Sequence, residues 1–147
     1  MAIFGIGAHF EEDTSKEFIK NKVVGVGWEK EEAISLHQMI SSIKVGDIVY
    51  IKSFSPASPD IFIKGIGIIT DSEIIENEKA KEKGISFGRN VHWLIKDQFQ
   101  VPKPKDKNNV RLNTIYEEFH PEIQQIIIKH LSHNLSKDDL PPFFTPA

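Results

Sequence analysis

The chain has 147 residues, 39% of them hydrophobic and 27% charged, values that fit one globular domain with a real core and exclude a disordered or membrane chain. Cysteine is absent, which excludes a disulfide framework, a thiol nucleophile and a cysteine-based zinc site. The net charge of −3 argues against a general nucleic-acid binder, but residues 79–111 carry nine basic and three acidic side chains while residues 1–78 carry seven and thirteen. The basic stretch from Lys79 through Arg111 reads in two ways, as a face for phosphates or as a solvated helix face followed by a lysine-rich turn.

From the start of the chain, "AIFGIGAHF" (2–10) reads as a first strand of about seven residues. The start "MAIFGIGA" lacks a basic leader and a cleavage site, and no run approaches the roughly 18 apolar residues of a membrane span. A cytoplasmic location with no membrane partner is expected. In "DTSKEFIK" (13–20), Thr14 stands three residues before Glu17, the capping-box spacing that opens a short helix. "KVVGVGW" (22–28) is a second strand, and "EKEEAISLHQMISSI" (29–43) is a helix with Ala33, Leu36, Ile40 and Ile43 on one face. A Gly-Asp turn launches a third strand in "VGDIVYIKSF" (45–54), and "IFIKGIGIITD" (61–71) is a fourth.

"SEIIENEKAKEKG" (72–84) has helix formers and a thin apolar face, the pattern of a surface helix or a partly mobile loop. "NVHWLIKDQFQV" (90–101) is a fifth strand, "PKPKDKNN" (102–109) a turn or loop, and "VRLNTIYEEF" (110–119) a sixth strand or an irregular segment. A helix then starts at His120, Pro121 and Glu122 and displays Ile123, Ile126, Ile127 and Leu131. Residues 1–137 form a single domain in this reading. The tail 138–147 has three prolines, and its Phe143 and Phe144 either pack back or dock on a partner enzyme. The order predicts an α+β fold, a small mixed or antiparallel β-barrel with peripheral helices and a C-terminal helix.

Few motifs promise catalysis. "GISFG" (84–88) fits the nucleophile pattern G-x-S-x-G, but that motif needs a strand before the serine and a helix after it, and here the order is reversed. The pairs Gly25/Gly27 and Gly65/Gly67 complete no phosphate-binding motif and read as bulges or close backbone approaches. His130 and His133 have a metal-compatible spacing without an evident third ligand, so neither a metal nor a cofactor is expected. The aromatic residues are more informative: Trp28 ends a glycine-rich strand, Phe54 tops a hairpin, and Trp93 lies beside His92 with apolar neighbours that suit a core residue. Flat side chains near strand ends can frame a slot for a planar base.

"GVGW", a helix, and then "VGDIVYIKSFSPASPDIFIKGIGII" together resemble the PUA-like superfamily, most closely its EVE and YTH-like branch, over roughly residues 1–116. The resemblance implies a small barrel with a pocket for a modified or flipped-out base, a non-enzymatic reader in a bacterial defence or restriction setting. It places Gly27 and Trp28 on one wall, the loop from Ser53 through Phe54 and Ser55 to Ser58 on another, and His9 and Phe10 on a third. Trp93 falls near the tryptophan of a later strand in such domains. Phosphates of the nucleic acid would then meet Lys103, Lys105, Lys107 or Arg111.

Overall fold

Every residue from Ile48 to Ile51 is buried, and the reason is that this strand has a core on both of its faces. The structure, a computed structural model, describes residues 1–9, 12–28, 31, 33–53, 59–104 and 114–134. Within them the chain runs β1 (Ile3–Gly7), α1 (Ser15–Asn21), β2 (Val23–Val26), α2 (Ile34–Ser42), β3 (Ile48–Ser53), β4 (Asp60–Ile68), β5 (Ile74–Glu76), α3 (Asn77–Glu82), β6 (Phe87–Asn90), β7 (His92–Ile95), β8 (Phe99–Pro102), β9 (Ile115–Glu117) and α4 (Pro121–Asn134).

The larger sheet is ordered β7-β4-β3-β1-β9, with β8 also paired to β4. β1 runs parallel to β3, and its other pairs are antiparallel. The smaller sheet is the antiparallel set β2-β6-β5. Period-two alternation sends Val49 and Ile51 toward one core, with Phe4 and Ile6 of β1 and Val24, Val26, Ile75 and Phe87 of the smaller sheet. Ile48 and Tyr50 point the other way, into a second core that holds Ile3, Ile63, Ile66 and Tyr116 and is completed by Ile123 and Ile127 of α4. Burial on both faces explains why this strand reads as a continuous apolar run instead of an alternating one.

The α+β class is as expected. Among the described residues no strand pairing joins the two sheets, so they meet through side chains and do not close into a barrel. The single strand expected over 90–101 is two, β7 and β8, because the nine-residue β4 pairs with each in turn and shifts register between Ile66 and Gly67. β6 was not expected as a strand. It contains Gly88 and Arg89 and shows no apolar alternation, yet it is the middle strand of its sheet.

Gly25, Gly65 and Gly67 serve close packing, as their setting in apolar strands suggests. A Cβ on Gly25 would lie 2.7 Å from the Phe87 carbonyl oxygen, and one on Gly67 would lie 2.9 Å from that of His92. The capping box does not form. The Thr14 hydroxyl donates to the Ala8 carbonyl at 2.5 Å, and the Asp13 carboxylate accepts the Ser15 N–H at 2.9 Å. The start of α1 is thereby tied to the end of β1, which positions the segment around His9.

Candidate functional site

Parallel pairing sets the carboxyl ends of β1 and β3 at the same edge of the sheet, with Gly7 opposite Lys52. Because β9 runs antiparallel to β1 and β4 antiparallel to β3, Thr114 before β9 and Lys64 within β4 arrive at that edge too. The result is a cleft of about 340 Å³ whose lining includes His9, Asp13, Lys52, Ser53, Lys64 and Thr114. The Lys52 ammonium lies over Gly7, where an added Cβ would be 3.8 Å from Nζ, and 5.8 Å from the centre of the Tyr116 ring. Burial pushes the Lys52 ammonium down to about 8, since a desolvated cation loses hydration that the neutral amine does not need. Lys64 pairs with Asp13 at 2.5 Å. Burial alone would raise the Asp13 carboxyl, but the hydrogen bonds from Lys64 and Ser15 win and hold it at about 2.

His9 also lines a second, larger cleft of about 660 Å³, shared with Glu12, Thr14, Gly27, Trp28, Lys81 and Ser86 among others. Trp28 is 43% exposed, unusual for so large an apolar side chain immediately after a buried strand. Its backbone is held from two directions. Ser86 donates its hydroxyl to the Gly27 carbonyl at 2.9 Å and its N–H to the Val26 carbonyl at 2.9 Å. His37, buried on α2, lies 2.7 Å through Nε2 from the Trp28 carbonyl oxygen. A carbonyl only accepts, so Nε2 carries the proton, and the imidazole ring is stacked on Phe87 with centroids 4.3 Å apart. The indole is thus presented by an anchored segment. Beyond Lys81 and Ser86 a third cavity of about 1020 Å³ opens along His37, Ile74 and Phe87.

The structure therefore brings together His9, Gly27 and Trp28 around one cleft, and His9 with Ser53 around the other. Trp93 is corrected. It is 6% exposed, lies in the core between the sheets and donates its indole N–H to the Phe18 carbonyl at 3.0 Å, so it forms no ligand wall. Phe10, Phe54, Ser55, Ser58, Lys105, Lys107 and Arg111 lie outside the described residues, as do Phe143 and Phe144 of the tail. Lys103 follows β8, donates its N–H to the Pro59 carbonyl at 3.1 Å and lines neither cleft.

Part of the basic run is committed elsewhere. Arg89 is 2% exposed, and its guanidinium donates to the carbonyls of Ile40 and Ile43 at the end of α2 and to that of Asp71. Lys79 pairs with Glu73, and Lys81 with Glu78 at 3.5 Å. Ser86 sits directly before β6, not after a strand, so its surroundings are not those of a nucleophile elbow. His130 stacks on Phe99 with centroids 3.8 Å apart. Lys52 and His37 are additions that sequence reasoning did not supply, and Ser86 entered it only as the serine of the G-x-S-x-G string. Only contact across distant segments marks them, and no local spacing encodes it.

Compared with models of known protein families and with curated proteins, the chain matches none. Among the described residues no helix is long and apolar enough to cross a membrane.

Proposed function

We propose that the chain is a non-enzymatic module that reads a modified or flipped-out base of nucleic acid, on a PUA-like fold of the EVE and YTH-like branch. The observation that carries this reading is the half-exposed Trp28, anchored at its own carbonyl and at that of Gly27, on the wall of a 660 Å³ cleft that also holds His9 and Ser86. An indole presented this way offers a face for a planar ring, and stacking of a base on such a side chain contributes about 1–3 kcal/mol. His9 and the Ser86 hydroxyl supply polar groups at the margins, the pairing of flat apolar wall and few polar contacts that small-ligand sites use. The element order, with a glycine-rich strand, a helix and a Gly-Asp turn into β3, supports the PUA-like assignment.

The test compares oligonucleotides that differ in one modified base, with Trp28 fluorescence and calorimetry as readouts. Modified strands should bind more tightly than plain ones, and Trp28→Ala should lower affinity by roughly 5- to 150-fold, the equivalent of one stacking contact. Equal affinity for modified and plain strands, or none for either, would reject the reading.

A further inference from the structure

Base stacking at Trp28 leaves the neighbouring cavity of about 1020 Å³ without a role. We infer that this cavity takes an aminoalkyl group carried by the recognised base, with the ring against Trp28, the alkyl stem along Phe87 and Ile74, and the ammonium among Glu31, Glu76 and Glu78. The assignment rests on the base-reading proposal and names the class of modification that is read.

Three observations carry it. First, the two hollows adjoin. Lys81 and Ser86 line both, so a substituent on a ring at Trp28 can pass from one into the other. Second, tertiary pairing builds the cavity. Glu76 of β5 is the cross-strand partner of Phe87 of β6, so carboxylate and ring share a face of the smaller sheet, and the buried His37 of α2 is stacked on that ring. Ile74 and the exposed Ile34 extend the apolar surface. Apolar walls with charge at the rim suit a group that is apolar along its stem and ionic at its tip. Third, the lining is negative and rich in acceptors. The carboxylates of Glu31, Glu76 and Glu78 against the one ammonium of Lys81 leave a formal charge of −2. Among the described residues Glu31 and Glu76 make no ion pair, and Glu78 makes none besides that with Lys81 at 3.5 Å. Glu29, Lys30 and Glu32 are neighbours in sequence and cannot reverse the sign, since Lys30 by itself would still leave −1. Ser41 and Ser42 donate their hydroxyl protons to the carbonyls of His37 and Met39 at 2.9 and 2.7 Å, which leaves their oxygens to accept. His37, protonated at Nε2 toward Trp28, keeps a lone pair on a buried Nδ1 that has no hydrogen-bond partner among the described residues. A cationic N–H donor complements both the charge and the acceptors. A phosphate complements neither.

The experiment uses the full chain and oligonucleotides that carry, at one position, a uracil bearing an aminopropyl group, the same group N-acetylated, or a butyl group. Acetylation removes the charge and keeps the ring and the stem. The aminopropyl strand should bind about 5- to 30-fold more tightly than either control, the range expected of two exposed ion pairs, and the preference should shrink as salt rises. Joint replacement, Glu31→Gln with Glu76→Gln, should bring the preference to within about twofold, while Glu122→Gln on α4, outside the cavity, should leave it unchanged. Propylamine alone, titrated into the ¹⁵N-labelled chain, should shift the amide signals of Gln38, Ile74, Glu76 and Asn77 saturably, and propanol should not. Modified strands that bind better than plain ones with no preference for the amine overturn the aminoalkyl site and leave the base reading in place. An amine preference that the joint replacement leaves intact overturns it as well. Propylamine binding at these amides, in a protein that takes no modified strand, keeps the amine site and removes the base reading. No binding of any strand and no shift with propylamine reject both.

Discussion

At the scale of single residues, the side chains that matter most here make contacts their local sequence does not announce. Arg89 stands in a basic run and would be taken for a phosphate ligand, but it is buried and holds the carbonyls of Ile40, Ile43 and Asp71. A cation at the end of α2 also meets the negative end of the helix dipole. Burial lowers the Arg89 pKa, yet an arginine in a protein stays charged. Truncation would remove a donor from three carbonyls, of which that of Ile40 keeps the Ile43 N–H, at a cost of roughly 1–3 kcal/mol for each left dry and not additively. Arg89→Met should therefore destabilise by about 3 kcal/mol in urea unfolding, with any binding of the proposed modified base by the folded fraction preserved. A change within about 0.5 kcal/mol would show that these hydrogen bonds are dispensable. Trp28 is the opposite case: its place at the end of an apolar glycine-rich strand marked it as a site candidate, and it is exposed, whereas Trp93, also taken for a ligand residue although its apolar neighbours suited core, is buried.

At the scale of elements, legibility followed periodicity. The apolar positions of α4 recur at helical spacing, and Ile123 and Ile127 are the two that the structure buries against the larger sheet. Ile127→Ala should cost about 2–5 kcal/mol through lost burial and the cavity left behind, measured by thermal or denaturant unfolding, while Ile128→Ala on the exposed side should cost little. Equal effects would mean that the helix packs through another face. β3 and β4 were legible as apolar runs bounded by turn residues. β6 was not, because Gly88 is needed where backbones approach closely and Arg89 is needed to cap α2, and neither residue type signals a strand. The division of 90–101 into β7 and β8 depends on the length of β4, a property of a different segment.

At the scale of the whole molecule, charge and topology decide what the clefts can bind. Of the nine basic residues in 79–111, Arg89 is spent inside and Lys79 and Lys81 pair with neighbouring carboxylates, and the total charge is −3. The described residues of this run do not assemble a broad phosphate-binding face, and a base-reading site predicts affinity that rests on one or two phosphates. The logarithm of the binding constant should fall with the logarithm of salt concentration with a slope of about −1, steeper than −0.5 and shallower than −2, given roughly −0.7 per phosphate on single strands. A slope near −5 would reveal an extended backbone footprint instead. The sequence by itself determined the α+β class, most of the strands and helices, and Trp28 as an exposed aromatic worth watching, because apolar periodicity and turn chemistry are local properties of the chain. Only the tertiary structure decided that no strand pairing joins the two sheets among the described residues, that Arg89 is interior, and that Lys52, Lys64, Thr114 and His9 share one edge. That edge exists because β1 pairs in parallel with β3, a choice made between segments more than forty residues apart, which no local pattern encodes.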